Sequence, residues 1–470
     1  MVDVGALDGA GELDLSIPRR VHVVGLGGAG MSAIATVLVR TGHVVSGSDL
    51  KVSRNLERLR LLGVETSVGH AASNLGEGLD AVVVSSAIPA ANPEVVAAAQ
   101  RGVPVFDRAT VLRAVLGQRR GIAVAGSHGK TTTSSMLALV LRAAGWRPSF
   151  IIGGEVNEVG TNAAADSGEW FVVEADESDG TFLRLEPEAT IVTSVDPDHL
   201  DHYGSFEGLV DAFGRFLAGV PGPKVVGIDT PVAAELAAGV PGVVTYGIGA
   251  DADYRLVDYS GGRSGCTFAV RSGGSDLGTL ELPVPGRHNA VNALGATALA
   301  LELGAPFEAA ARALAGFGGV ARRFQFRGSR DGVTFVDDYA HLPGEVEAAI
   351  RTAAEGGFRR VVAVFQPHRF TRTAALWRDF ADAFVDVDEL VLTDVYGAGE
   401  SPRPGVSGRL VLGAVLDAHP SLSVTYLPRH ADLVRHVPRL ARPGDIVLTL
   451  GAGDLVSLPD EWLSDDRRPR

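Results

Sequence analysis

A lysine, three threonines and two glycines between positions 126 and 133 form the part of this sequence best suited to chemistry. The stretch reads Ala125-Gly126-Ser127-His128-Gly129-Lys130-Thr131-Thr132-Thr133. Lys130 is one of only three lysines among 470 residues, although Lys and Arg together number 42. Residues 121–125 have the pattern of a short buried strand, and residues 131–143 that of a helix. A strand, a glycine-bracketed turn and a helix N-terminus together hold phosphate, because backbone N–H groups and the helix dipole face the anion. Lys130 would reach the β- and γ-phosphates of ATP, and the Thr131 hydroxyl would ligate Mg²⁺. Gly126, Ser127, His128, Gly129 and Thr132 complete the loop. Val124 stands where the strict pattern G-x-x-x-x-G-K-[ST] has its first glycine.

Carboxylates follow at the ends of the next two expected strands. Residues 169–174 end at Glu174, with Asp176, Glu177 and Asp179 just beyond. Residues 189–194 lead into Asp196-Pro197-Asp198-His199. Mg²⁺ keeps several waters and takes few protein ligands, so Glu174 with His199 is a sufficient protein share, although a nitrogen ligand is unusual for this ion. Further along, His288, Asn289 and Asn292 open a helix and can offer amides to an adenine edge. Arg369 and Arg372 can clamp a carboxylate through bidentate guanidinium contacts.

A second glycine pattern lies near the start. Residues 21–24 are a short apolar strand, followed by Gly25-Leu26-Gly27-Gly28-Ala29-Gly30-Met31 and a helix expected over residues 32–41. Gly25, Gly27 and Gly30 fit G-x-G-x-x-G, and Asp49 falls where an acidic residue meets a ribose hydroxyl. Ser85, Ser86 and Ala87 follow another apolar strand and would lie at the same sheet edge. NAD, FAD and nucleotide-sugar diphosphates all suit this fingerprint.

The elements that must position these groups alternate between strand and helix, which implies parallel sheets with ligands at the strands' carboxyl ends. The length suggests about three domains. Residues 1–18, acidic and glycine-rich, and the tail from Ser464 are expected to be loose ends. The net charge of −14 argues against nucleic-acid binding. No run is long enough for a membrane span, and the N-terminus lacks a basic region followed by an apolar one. With one cysteine, Cys266, the expectation is a reducing cytoplasm.

Taken together, the motifs resemble the Mur ligases of peptidoglycan synthesis over about residues 19–455. The resemblance rests on residues 25–31, the 126–133 loop, residues 174–179, Asp198-His199, His288-Asn289 with Asn292, residues 322–325, Asp337-Asp338-Tyr339, residues 366–372 and Gly451-Ala452-Gly453-Asp454. It implies an α/β fold with an N-terminal Rossmann-like UDP-sugar domain (19–118), a central P-loop ATPase-type domain (119–319) and a C-terminal Rossmann-like amino-acid domain (320–470). Within the family, residues 25–31, 322–325 and 366–372 point to the branch that adds L-alanine to UDP-N-acetylmuramate through an acyl phosphate, with ATP and Mg²⁺.

Carried over by resemblance, Lys130, Glu174, His199, Arg323, Arg369 and Arg372 are the catalytic set. Thr131, Glu174 and His199 hold the metal. Asn289 and Asn292 contact adenine, with His288 beside them, and Arg323 and Asp338 close over the nucleotide. Gly25, Gly27, Gly28, Gly30, Met31, Asp49, His70, Ser85, Ser86 and Ala87 receive the UDP-sugar, while Tyr339, His341, Arg369 and Arg372 receive the amino acid. A monomer or weak homodimer is expected.

The sequence also departs from the family's pattern. Ser127 replaces a usual Thr, Ser194 a usual Asn, Leu342 a second histidine after His341, and Phe370 a common Tyr. No lysine lies between Lys130 and Lys224, where most Mur ligases place a carbamylated one; the alanine-adding branch dispenses with it. A recycling ligase that attaches a tripeptide to UDP-N-acetylmuramate shares most motifs but not the 25–31 run. A nicotinamide-dependent oxidoreductase, the reading from another class, would leave the phosphate loop and the carboxylates without a role.

Overall fold

The computed structural model describes residues 12–85 and 87–464; Ser86 and the outer parts of both termini lie outside them. The chain forms two compact units. The first comprises residues up to 257 with 270–278 and 291–314, and the second 258–269, 279–290 and 315 onward.

The first unit opens with a five-stranded sheet of β1 (Arg20–Val24), β2 (Val44–Asp49), β3 (Glu65–Val68), β4 (Ala81–Val84) and β5 (Val105–Asp107), in the order β3-β2-β1-β4-β5. All four pairings are parallel. Val21, Val23 and Val24 of β1 and all of β4 are buried, as expected of strands covered on both faces. The covering helices are α1 (Ala29–Arg40), α2 (Arg54–Leu61), α3 (Pro93–Gln100) and α4 (Arg108–Leu116). Helix α1 starts three residues before the expected position. Gly28 is extended (φ −68°, ψ 146°) and caps it, so Gly30 and Met31 lie in the first turn. The strand order reverses between β1 and β4, which opens a crevice at their carboxyl ends. There a Cβ on Gly25 would lie 3.3 Å from Ser85 Oγ.

The second sheet contains β6 (Arg120–Ala125), then α5 (Lys130–Ala143), β7 (Ser149–Val156), β8 (Thr161–Ala164), β9 (Trp170–Glu174) and β10 (Ala189–Val192). Helices α6 (Leu200–Tyr203) and α7 (Phe206–Gly219) precede β11 (Lys224–Gly227), α8 (Pro231–Gly239) and β12 (Val243–Gly247). Around β6 the order is β12-β11-β10-β6-β9-β7-β8, with only the outermost pair, β7 and β8, antiparallel. Sequence reading missed three strands that extend the order beyond β12: β13 (Tyr254–Gly262), β14 (Gly265–Ser272) and β15 (Ser275–Leu282). The division between the two units cuts through these strands and through the following α9 (Arg287–Glu302). α10 (Phe307–Ala315) follows.

One apolar core serves both sheets of the first unit, with Met31, Ile34 and Phe106 in the same cluster as Phe171, Phe182 and Phe213. Leu13 and Leu15, in the segment expected to be loose, are buried in it because alternate side chains of an extended segment point the same way.

The second unit carries β16 (Gln325–Arg330), β17 (Val333–Asp338), α11 (Pro343–Glu355), β18 (Val361–Phe365), α12 (Phe370–Leu376), β19 (Glu389–Leu392), α13 (Gly408–Ala418), β20 (Val424–Tyr426), α14 (His430–Leu440) and β21 (Ile446–Leu450). The order is β16-β17-β21-β18-β19-β20, parallel except for β16. No helix among the described residues is long and apolar enough to cross a membrane.

Gly47 shows how tightly the first sheet is built. A Cβ there would strike the Val23 carbonyl oxygen and lie 2.8 Å from Leu26 Cδ2. Gly47→Ala is therefore expected to lower stability by about 1–3 kcal/mol, measured by urea unfolding. An unchanged midpoint would mean that the backbone around the glycine loop yields easily.

Candidate functional site

In the first unit, β6 delivers the phosphate loop at its carboxyl end and α5 begins at Lys130. Gly129 caps α5 in the left-handed region (φ 79°), and a Cβ there would strike Asn292 Oδ1, so only glycine fits the turn. The two departures near the loop are both hydrogen-bonded in place. Ser127 Oγ donates to the Asp196 carbonyl at 3.0 Å and accepts the Asp196 amide at 2.8 Å. Ser194 Oγ accepts the His128 amide at 3.1 Å. Thr131 and Thr132 are buried.

The Lys130 ammonium donates to the Gly126 carbonyl at 2.6 Å and lies 2.8 Å from Glu177 Oε2. Glu177 is 1% exposed. Burial alone would push the lysine's pKa down, but the charges of Glu177 and Asp176 outweigh it and raise the pKa, so the ammonium stays charged. Sequence reading did not single out Glu177 as that partner. The available signal was that a lysine at a buried helix start requires a counter-charge.

Glu174 is held from both sides: its Oε1 accepts from Thr131 Oγ1 at 3.1 Å and its Oε2 from the Gly153 amide at 2.7 Å. His199 joins the cluster through Glu177, with Nε2 3.9 Å from Glu177 Oε1 and 3.1 Å from Asp198 Oδ2. The histidine caps the short α6 at φ 53°, a left-handed conformation that costs a non-glycine residue energy and recurs at functional sites. Lys130, Thr131, Glu174 and His199 are thus brought together.

At the first sheet's carboxyl edge, the glycine loop is tied to β2. The Gly25 and Leu26 amides both donate to the Ser48 carbonyl at 2.9 Å, and the Gly27 amide donates to Asp49 Oδ2 at 2.8 Å. Asp49, expected at a ribose, therefore also shapes the loop. His70 lies beside it, with Nδ1 2.9 Å from Ser48 Oγ. That hydroxyl donates to Glu94 Oε2 at 2.6 Å, so its lone pair receives the His70 Nδ1 proton. Glu94 is fully buried. Burial pushes its pKa up, but His22 Nε2 at 3.7 Å and hydrogen bonds from Ser48, Asn74 and the Ala71 amide prevail and hold it at about 2.

In the second unit, Tyr339 lies under two guanidinium groups, Arg322 at 4.7 Å and Arg323 at 5.3 Å. The His341 ring is 5.3 Å from Tyr339 and 5.6 Å from His368, which stacks on Tyr396. Arg372 donates to His368 Nδ1 at 3.0 Å. An arginine only donates, so His368 carries any single proton on Nε2. Burial and the nearby charges of His341, Arg372 and Arg369 push its pKa down to about 3. Arg369, at φ 66°, caps α12. Both Asp338 oxygens accept amides, from Phe324 and Ala340, and burial raises its carboxyl to about 6. His288 Nδ1 lies 3.4 Å from Thr352 Oγ1, and Asn289 donates to the Pro285 carbonyl at 2.7 Å. Leu342 is buried in the core beneath α11, which explains an apolar residue after His341.

Comparison with known proteins adds three family matches: a Mur ligase family catalytic domain over residues 20–120, a Mur ligase middle domain over 124–300, and a Mur ligase glutamate ligase domain over 322–453. The chain is 47% identical to a UDP-N-acetylmuramate–L-alanine ligase of Solidesulfovibrio magneticus, over 96% of this chain and 98% of that one. It is 46% identical to the ligase of the same name from Pelotomaculum thermopropionicum, over 93% and 96%. Among solved structures it is similar to a UDP-N-acetylmuramate–alanine ligase of Thermotoga maritima, with TM-score 0.79, 30% identity and coverage of 95% and 98%.

The buried carboxylate sets a pH dependence of stability. With Glu94 near 2 when folded and near 4.5 when unfolded, its stabilisation is complete above pH 4.5 and is lost as pH falls toward 2. Wild type is expected to lose about 3 kcal/mol more than Glu94→Gln over that range, measured by denaturant titration at each pH. Parallel pH profiles would show that the carboxylate is not stabilised in the fold.

Proposed function

The chain belongs to the Mur ligase family, and from that premise we infer that it joins L-alanine to the lactyl carboxylate of UDP-N-acetylmuramate. The reaction is driven by ATP, releases ADP and phosphate, and supplies peptidoglycan precursors. The observation that carries the reading is the charged Lys130 on the phosphate loop, set among Thr131, Glu174, Glu177 and His199, in a chain this close to alanine-adding ligases along nearly its whole length.

A carboxylate is a poor acyl donor, so the lactyl oxygen first attacks the γ-phosphorus and ADP leaves. The alanine amine then attacks the acyl carbon of the mixed anhydride, loses a proton and expels phosphate. Both steps bring anions together, and Lys130 offsets their repulsion. Thr131 Oγ1 donates to Glu174 Oε1 at 3.1 Å, and both are hard oxygen donors of the kind Mg²⁺ prefers. In this reading Glu174 and His199 would hold one Mg²⁺, with Thr131 on the other metal position. Mg²⁺ would add positive charge against the transferring phosphoryl group.

The proposed domains are 19–118 for the UDP-sugar, 119–319 for ATP and 320–470 for the amino acid. Gly126–Thr132, His288, Asn289, Asn292, Arg323 and Asp338 hold ATP in this reading. Gly25, Gly27, Gly28, Gly30, Met31, Asp49, His70, Ser85, Ser86 and Ala87 hold the UDP-sugar. Tyr339, His341, Arg369 and Arg372 hold alanine, and the arginines serve as the carboxylate clamp. The chain has a single cysteine, Cys266, which is buried. We place the protein in the cytoplasm, as a monomer or weak homodimer.

The direct test is phosphate release from ATP and Mg²⁺ with UDP-N-acetylmuramate, with and without L-alanine. Release that requires both, with a product heavier by one alanyl residue, is expected. Release only with a tripeptide would move the protein to the recycling branch. In the same assay Lys130→Ala is expected to cut the rate by about 10²–10³, and a loss below tenfold would remove Lys130 from its role. Arg372→Ala is expected to raise KM for alanine about tenfold or more while KM for ATP stays within about twofold. Equal shifts in both would rule out the clamp.

A further inference from the structure

Arg108 is the first residue of α4. Its guanidinium lies against the N-terminus of α1: a Cβ on Gly30 would sit 3.2 Å from Arg108 Nε and 3.4 Å from its Cζ. Nε is cut off from solvent and has no hydrogen-bond partner among the described residues. The neighbouring carboxylate is already engaged, because Asp107 accepts the Thr110 amide at 2.7 Å and pairs with Arg184 at 2.6 Å.

A half-buried guanidinium without a bonded anion is costly to keep unless a ligand supplies one. The first turn of α1 offers the same preference from the other side, since its amides lack intrahelical acceptors and the helix dipole is positive there. The glycine loop's earlier amides do not compete, because Gly25, Leu26 and Gly27 are bonded to Ser48 and Asp49.

We propose that Arg108 is a substrate-binding residue whose guanidinium, packed beside the first turn of α1, takes an oxyanion of the UDP-sugar. Two oxyanions on that substrate have the required chemistry, the diphosphate and the lactyl carboxylate. The proposal rests on the UDP-sugar reading of the first sheet. If the carboxylate is the one held, Arg108 fixes the nucleophile beside the first turn of α1.

The test is calorimetric titration of the full chain, wild type, Arg108→Gln and Arg108→Lys, with UDP, UDP-N-acetylglucosamine, UDP-N-acetylmuramate and ATP. Arg108→Gln is expected to raise Kd for UDP-N-acetylmuramate at least tenfold while ATP binding changes less than twofold. Arg108→Lys, which keeps the charge without the fork, is expected to fall between it and wild type. Equal losses for all three uridine ligands identify the diphosphate. A loss confined to UDP-N-acetylmuramate identifies the carboxylate, since only that ligand carries the lactyl arm. Unchanged affinity in Arg108→Gln, with wild type binding the uridine ligands, overturns the proposal and leaves the UDP-sugar reading intact. Wild type that binds ATP but no uridine ligand removes that reading and the proposal with it.

Discussion

A charged lysine held in a largely buried loop is the constraint around which the first unit is arranged. Lys130 stays charged because Glu177, itself 1% exposed, stands 2.8 Å away and Asp176 adds its charge. Neither group could be buried alone, since an isolated ion in a low-dielectric interior costs several kcal/mol. The β9–β10 region must therefore bring its acids to the end of β6. The parallel order β10-β6-β9 does so, because parallel neighbours end on the same edge. Thr131 with Glu174, and Glu177 with His199, then follow from the same alignment of strand ends.

The first sheet solves a related problem with hydrogen bonds. Glu94 is fully buried with no lysine or arginine partner among the described residues, and its charge is sustained by hydrogen bonds from a hydroxyl, an amide side chain and a backbone amide, with His22 close by. Because Ser48 bridges Glu94 and His70, and its carbonyl anchors the glycine loop, one buried acid orders both sides of the crevice between β1 and β4. In the second unit, His368 is kept neutral between arginines and stacked on Tyr396, a rigid platform beside Arg372.

Much of this was legible from residue types. The strands ending at Val24, Val84, Glu174 and Leu450 are mostly apolar and are followed by polar or glycine residues, the pattern of parallel strands buried on both faces. The strands β13 to β15 were not legible, since Tyr254–Leu282 mixes glycine, serine and charge with short apolar stretches and carries no motif. The start of α1 was misplaced because Gly30 reads as part of a loop while lying in the helix. Glu177 and Arg108 were missed for a common reason. Their importance lies in which charges are matched and which are not, and spacing along the chain does not reveal that.

The contact between Gly129 and Asn292 carries an evolutionary consequence. The glycine has no room for a side chain because the asparagine amide fills the space a Cβ would occupy, and the two positions are 163 residues apart in the sequence. A larger residue at 129 would have to arrive with a smaller one at 292 and would still face the strain of a left-handed turn. Drift at either site is thus conditional on the other. This contact is a place where the lineage's accessible mutations narrow to those that preserve both partners.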